Sequence, residues 1–315
     1  MKLNTPVEIR PLEKRLTYKD SILFVGSCFA DEMGIRCTER YFRSMVNPFG
    51  VLFNPCSVAD CLALLENPSS GFTQKDVIET SGGYCSFHHH GSMARPTVQE
   101  FLDNANRVLN EASAFYCSAG WVVVTLGTAY IYKDMESGMV VANCHKLPQD
   151  RFERTMIDTG QVFDALSRYV AARPDVQWVF TVSPVRHLND GLHANTLSKA
   201  TLHLGIQRVV EQYSNAHYFP AYEILTDELR DYRFYADDMM HPSVKAADYI
   251  FERFMDYALA DADRPLLAEA ERIHGMMQHR VLNPGTTQAQ QFEQQRAKAL
   301  ESFLSQINSS GSTYH

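Results

Sequence analysis

Two adjacent side chains that can act as nucleophiles, Ser27 and Cys28, follow an apolar run and a glycine in "ILFVGSCFADEMG", residues 22–34. A serine attacks only when a base takes its proton and nearby donors hold the resulting oxyanion. A strand-to-helix turn supplies part of this, because the first N–H groups of a helix have no partner within it. Gly26 lets the backbone bend sharply at that corner. The bland alternative is that Ser27 only caps the helix, a common use of serine. Of the pair, Ser27 is the expected nucleophile. Cys28 lies one residue into the helix, about 100° around from Ser27, and small thiols in a first turn usually pack inward. The thiol stays as a lesser alternative because helix N-termini lower thiol pKa values.

A base must come from elsewhere, and of the twelve histidines His241 has the best setting. "Asp238-Met239-Met240-His241-Pro242-Ser243" puts a carboxylate three residues before an imidazole, where one turn lets it fix the ring's tautomer. The plain alternative is a surface-loop histidine ahead of an N-capping Ser243. Arg186 and His187 follow a later apolar run and are expected to face the same site. Arg186 suits an anionic or sugar substrate, or an ordinary salt bridge. Phe29, Phe49, Phe53, Tyr130 and Tyr132 could line a sugar or acyl pocket, although core packing explains most of them equally well.

These side chains need a scaffold. The runs Ile22–Val25, Trp121–Leu126 and Trp178–Val182 are short, β-branched or aromatic, and do not alternate, as expected of strands buried on both faces. Helical patterns over 31–42, 98–114, 160–172 and 196–213 separate them. The alternation predicts an α/β fold with a mostly parallel sheet and right-handed crossovers, with chemistry at the carboxyl ends of the strands. A further run, Ala216–Phe219, leads toward the Asp238–His241 segment. Near residue 260 the composition changes, which divides the chain into a catalytic domain, 1–260, and a C-terminal helical extension, 261–315. The last helix is Gln/Glu/Arg/Lys/Ala-rich with Phe292, Ala299 and Leu304 on one narrow face. It either covers an edge of the sheet or joins two copies in a homodimer.

With 315 residues and 45% hydrophobic content the chain can bury a large core. A net charge of −8 without a Lys/Arg block argues against nucleic acid. The sequence has no membrane-length apolar window and no apolar leader, so a cytoplasmic location is expected. Seven cysteines without a CxxC pair read as reduced thiols rather than as a disulfide framework or zinc site. "HHHGSM" at 88–93 is a weak metal motif, since three adjacent histidines point in different directions. No metal and no organic cofactor is expected.

Gly26-Ser27, taken with Asp238-x-x-His241-Pro242, resembles the SGNH (GDSL-type) hydrolases. "Gly26-Ser27-Cys28-Phe29-Ala30" resembles the signature of the GSCFA family, distant relatives of the GDSL lipases. "NPFGVLFNP" at 47–55, "TLGTAYIY" at 125–132, "ANCHK" at 142–146 and "SPVR" at 183–186 support it, over roughly residues 20–255. The resemblance implies a three-layer SGNH-like fold, Ser27 as nucleophile, His241 as base and Asp238 orienting it. It also implies an oxyanion hole in which the backbone N–H of Gly50 joins Ser27. The third block departs from the pattern: Gly-x-Asn-Asp is typical, and Gly127-Thr128-Ala129-Tyr130 stands here. Ala129 has no side-chain donor, and losing one such donor costs about 10²–10³ in rate. The Thr128 hydroxyl could repair this, or Asn143 or His145 could swing into the vacancy, the latter two being favoured.

The implied activity is hydrolysis of small acyl esters, carbohydrate O-acetyl esters among them, with Arg186 and Tyr130 binding substrate. An acyltransferase using the same acyl-enzyme would differ only in its acceptor. A non-catalytic SGNH-like scaffold that binds a glycan or metabolite is the rival that Ala129 favours. A structural partner-binding role rests only on the C-terminal helix.

Overall fold

The computed structural model describes residues 5–188, 191–279 and 286–309. From the first strand the chain runs β1 (Ser21–Gly26), α1 (Cys28–Glu39), β2 (Arg43–Val46), α2 (Pro55–Glu66), β3 (Ile78–Thr80), β4 (Gly83–Cys85) and α3 (Val98–Ser118). It continues through β5 (Trp121–Leu126), β6 (Tyr130–Asp134), β7 (Val140–Val141), β8 (Phe152–Met156), α4 (Thr159–Ala172), β9 (Gln177–Val182) and α5 (Leu192–Gln212). β10 (Ala216–Tyr218), the short α6 (Ala221–Glu223) with a π-helical turn (Ile224–Leu229), α7 (Val244–Ala258), α8 (Arg264–Gln278) and α9 (Thr287–Ser309) complete it.

Five strands form a parallel sheet in the order β2-β1-β5-β9-β10. The apolar runs do not alternate because both faces are covered. Leu23 and Val25 of β1 enter one core with Val58 and Leu62 of α2, Phe101 and Leu109 of α3, Leu166 of α4 and Ile206 of α5. Ile22 and Phe24 enter the opposite core with Met33 of α1, Phe251 of α7, Ile273 of α8 and Phe303 of α9. This is the expected α/β arrangement of three layers, with the C-terminal helices packed on the α1 side.

The order of strands decides where a ligand can enter. The chain leaves β1 through α1 to reach β2 on one side, then returns past β1 to β5 on the other. The crevice beyond the carboxyl ends of β1 and β5 is therefore the topological switch point of the sheet. Ser27 follows β1 at that position, and Gly127 follows β5.

Two insertions differ from the simple alternation read from the sequence. β3 and β4 form an antiparallel hairpin, and β7-β6-β8 form a separate antiparallel sheet. Both lie inside crossover connections, the first between β2 and β5 and the second between β5 and β9. Their strands are half-exposed, so their residues lack the continuous apolar signal of the central sheet.

Candidate active site

The corner at Ser27 is built by Gly26. Its φ is +137°, and a Cβ there would lie 2.1 Å from the Thr125 carbonyl oxygen. Only glycine brings β1 this close to β5 in that conformation. Ser27 N–H donates to Thr125 O at 2.9 Å, which carries the β1–β5 ladder one residue further. The Ser27 side chain caps α1, accepting from Phe29 N–H at 3.3 Å, and the residue is 1% exposed. Cys28 is unsuited to attack. Burial and the nearby Asp31 and Glu32 carboxylates push its thiol up to about 11, against a smaller opposite pull from Lys199.

Asn47, which sequence reasoning passed over, braces the corner. Its Oδ1 accepts from Gly26 N–H at 2.8 Å, and its Nδ2 donates to Asp31 Oδ1 at 2.6 Å and reaches Ser27 O at 3.5 Å. Its φ is +40°, a conformation asparagine tolerates better than most residues. The signal was an Asn-Pro pair directly after a strand.

The structure brings Asp238 and His241 together on one turn. Asp238 Oδ2 accepts from His241 Nδ1 at 2.6 Å, and Oδ1 accepts from the Met240 and His241 N–H groups at 2.8 and 3.0 Å. These donors hold the carboxylate down to about 2, the backbone bonds foremost. With Nδ1–H given to Asp238, Nε2 of a neutral ring is left as the acceptor. The turn is anchored where Arg186 N–H donates to Met240 O at 3.0 Å, joining it to the segment after β9. Ser243 caps α7. Arg36 of α1, 8% exposed, donates to Asp248 of α7 at 2.9 Å and to Glu32 at 2.5 Å, so the helix that Ser27 opens is tied to the helix that follows His241. Among the described residues no direct hydrogen bond joins Ser27 to His241.

The expected oxyanion donors are engaged otherwise. Ser27 N–H goes to Thr125 O, and Gly50 N–H closes a turn onto Asn47 O at 2.8 Å. Asn143 Oδ1 accepts from His145 N–H at 2.7 Å, a local turn, and His145 Nε2–H donates to Ser86 O at 2.9 Å. The repair expected from Asn143 or His145 is thus replaced by a support for the 86–90 loop. Thr128 Oγ1 accepts from Tyr130 N–H at 3.0 Å and shares a hydrogen bond with Ser198 Oγ at 3.1 Å. Ser198 Oγ also accepts from Ala129 N–H at 2.7 Å. Tyr130 is covered by the Arg154 guanidinium, 3.6 Å from its ring centroid.

A group of polar side chains lies at the ends of β9 and β10. Arg186 is half-buried, with no carboxylate partner among the described residues. The His187 ring packs edge-on against Phe53, and its Nε2 has no partner among the described residues. Burial, then Lys199 and His241, hold His187 down to about 4. Lys199 of α5 is buried and donates to Ser183 O at 2.6 Å. Sequence reasoning missed it, although Lys199 falls in helical register with the buried Leu202, Ile206 and Val209. The "HHH" segment is structural: His88 pairs with Asp60, His89 Nδ1 lies 2.7 Å from Ser86 Oγ, and His90 N–H donates to Phe49 O at 2.9 Å.

Two surface clefts lie apart from Ser27 and His241. One, of about 280 Å³, is lined by Lys75, His88, Asp134, Glu136 and Arg151 among others. The other, of about 650 Å³, lies between the 10–14 segment and His217, Tyr218 and Tyr257. Among the described residues no group of three or more His, Cys, Asp or Glu could hold a metal ion, and no helix is long and apolar enough to cross a membrane.

The model of the GSCFA family matches residues 21–254, close to the span of the sequence resemblance. No functionally curated protein matches the chain. Among solved structures the chain is similar to an acetyl xylan esterase (Est2A) from the rumen bacterium Butyrivibrio proteoclasticus, at 11% identity and a TM-score of 0.37. That similarity covers 77% of this chain but only 64% of the esterase.

Proposed function

The chain belongs to the GSCFA family, and on that premise we propose that it is a serine acyl-ester hydrolase. Ser27 Oγ attacks the ester carbonyl while His241 Nε2 takes its proton. The tetrahedral intermediate collapses, the C–O bond to the alcohol breaks, and His241 returns the proton to the leaving oxygen. Water, deprotonated by the same imidazole, then releases the acid and restores Ser27. Asp238 holds the tautomer throughout. What supports this reading is that the chain has both a serine at the switch point of the sheet and an Asp238–His241 turn that leaves Nε2 as the accepting nitrogen. Because Ser27 is 1% exposed, the reading favours a small acyl group such as acetyl. A carbohydrate O-acetyl ester is the substrate class we favour, with Arg186 on the alcohol side.

The test is intact-mass spectrometry after treatment with a fluorophosphonate, on the wild-type chain and on Ser27→Ala. One adduct on the wild type and none on the variant is expected, with p-nitrophenyl acetate cleaved faster than the butyrate and octanoate esters. An unlabelled wild type would refute the proposal. A second reading, a glycan- or metabolite-binding scaffold, is favoured by Ala129 and by the engaged N–H groups of Ser27 and Gly50. It predicts no labelling together with saturable binding of an unhydrolysed sugar ligand.

A further inference from the structure

Lys199 is 2% exposed, and its ammonium donates to the Ser183 carbonyl at 2.6 Å. No carboxylate pairs with it among the described residues. The groups that face it are the Cys28 thiol in the first turn of α1, the His187 ring after β9, His203 one turn along α5, and the Tyr222 ring of α6 at 6.0 Å. Glu223, the acid of α6, accepts from the Tyr218 phenol O–H at 2.8 and 2.9 Å and lies 3.8 Å from His203. An uncompensated ammonium in a protein interior is costly. A methionine of similar length would fill the same space without that cost, so packing alone does not account for the charge.

The position gives the charge a purpose. Ser198, the preceding residue, accepts from Ala129 N–H and meets Thr128, so it supports the loop after β5 in which the family pattern would carry an asparagine. Lys199 supports the neighbouring loop after β9 through Ser183. We propose that Lys199 is a positioning residue for chemistry at Ser27: it pins the loop bearing Arg186 and His187, and it sets a positive potential behind the first turn of α1, next to the position where Ala129 offers no donor. This rests on the reading of Ser27 as the nucleophile.

Burial holds the Lys199 ammonium down to about 7, with the Cys28 thiol pulling weakly the other way. The potential is therefore present at mildly acidic pH and fades as pH rises through neutrality. The experiment is the pH profile of fluorophosphonate labelling on the wild type, Lys199→Met and Lys199→Arg, each with its far-UV circular dichroism and melting temperature. The wild type is expected to show a falling limb near pH 7. In Lys199→Met labelling at pH 6 is expected to drop tenfold or more and the falling limb to vanish. Lys199→Arg, charged at every pH used, is expected to keep the rate and lose the falling limb, which carries the test even if the methionine variant does not fold. A folded Lys199→Met with the wild-type rate and profile, or a Lys199→Arg that keeps the falling limb, would overturn the proposal. An unlabelled wild type refutes the Ser27 reading itself, and the assignment of Lys199 falls with it.

Discussion

Gly26→Ala is the change that tests whether the Ser27 corner is built as described. At φ +137° an L side chain is strained, at about 1–3 kcal/mol. The added Cβ would meet the Thr125 carbonyl oxygen at 2.1 Å and its carbon at 2.8 Å, whereas unstrained carbon–oxygen contacts begin near about 3.3 Å. The ends of β1 and β5 must part by roughly that 1 Å difference. Parting stretches the Ser27 N–H bond to Thr125 O, now 2.9 Å, and leaving a buried backbone group unpaired costs about 1–3 kcal/mol. Together the loss is about 2–6 kcal/mol, a large share of the ~5–15 kcal/mol that typically holds a domain folded. Urea denaturation followed by circular dichroism measures it. Gly275→Ala in α8 is the matched control, since a Cβ there meets nothing within 4 Å. Alanine at that helical position is expected to stabilise by about 0.5–1 kcal/mol. The same added methyl thus gives opposite signs at two sites. A Gly26→Ala variant within about 1 kcal/mol of the wild type would refute the reasoning, because neither the strain nor the close approach could then be real.

Asp238→Asn keeps an oxygen for the Met240 and His241 N–H groups but turns an amide toward His241 Nδ1, which favours the wrong tautomer. Fluorophosphonate labelling is expected to slow by about 10²–10⁴ with little loss of fold, and an unchanged rate would remove Asp238 from the site. The depressed pKa of Asp238 also fixes a sign: its contribution to stability is full above about pH 4 and is lost as pH falls toward its folded value of about 2. The wild type is therefore expected to lose more stability than Asp238→Asn between pH 4 and 2, read by urea midpoints. Phe303→Ala removes a 1% exposed ring packed against Tyr18 and Tyr41. Its cost is bounded by the release of α9, at most about 3–5 kcal/mol, and faster amide exchange confined to α9 with the sheet still protected is the expected result.

What was legible in the sequence follows from how local each signal is. β1, β5 and β9 were visible because burial on both faces makes a strand continuously apolar, and the Asp238–His241 turn was visible because both partners lie within four residues. β2, "RSMV", is a short edge strand with half-exposed side chains, and β6 and β8 are mostly exposed, so none of them carries that signature. α2 hid differently: Asn54 caps it and Pro55 opens it, yet its apolar residues run almost all round, which blurs the helical period. The engagement of Ser27 N–H by Thr125 depends on a strand register nearly a hundred residues away, and no local pattern encodes it. Asn143 and His145 were drawn to the vacancy by proximity along the chain, while the fold uses them to hold Ser86.

The engaged donors bear directly on how such a site works. Ser27 N–H is held by the sheet through Thr125 O, and Gly26 allows β1 to lie this close to β5, so freeing that N–H requires the strand ends to part. Gly50 N–H is likewise committed to its own turn, and Ala129 has nothing to give. Direct donors to an oxyanion are thus scarce, and each missing one is worth about 10²–10³ in rate. What remains is longer-ranged: the positive end of α1, which Ser27 caps, and, on the proposal above, the ammonium of Lys199, which faces Cys28. Such fields stabilise a developing charge without needing a donor at hydrogen-bond distance, but more weakly and over a broader region. The expected kinetic signature is therefore a serine that reacts readily with an activated phosphonate or p-nitrophenyl ester, whose leaving group needs little help, and slowly with an unactivated alkyl ester. A ratio of activated to unactivated turnover no larger than that of base-catalysed hydrolysis in solution would show that a full set of donors assembles when substrate binds.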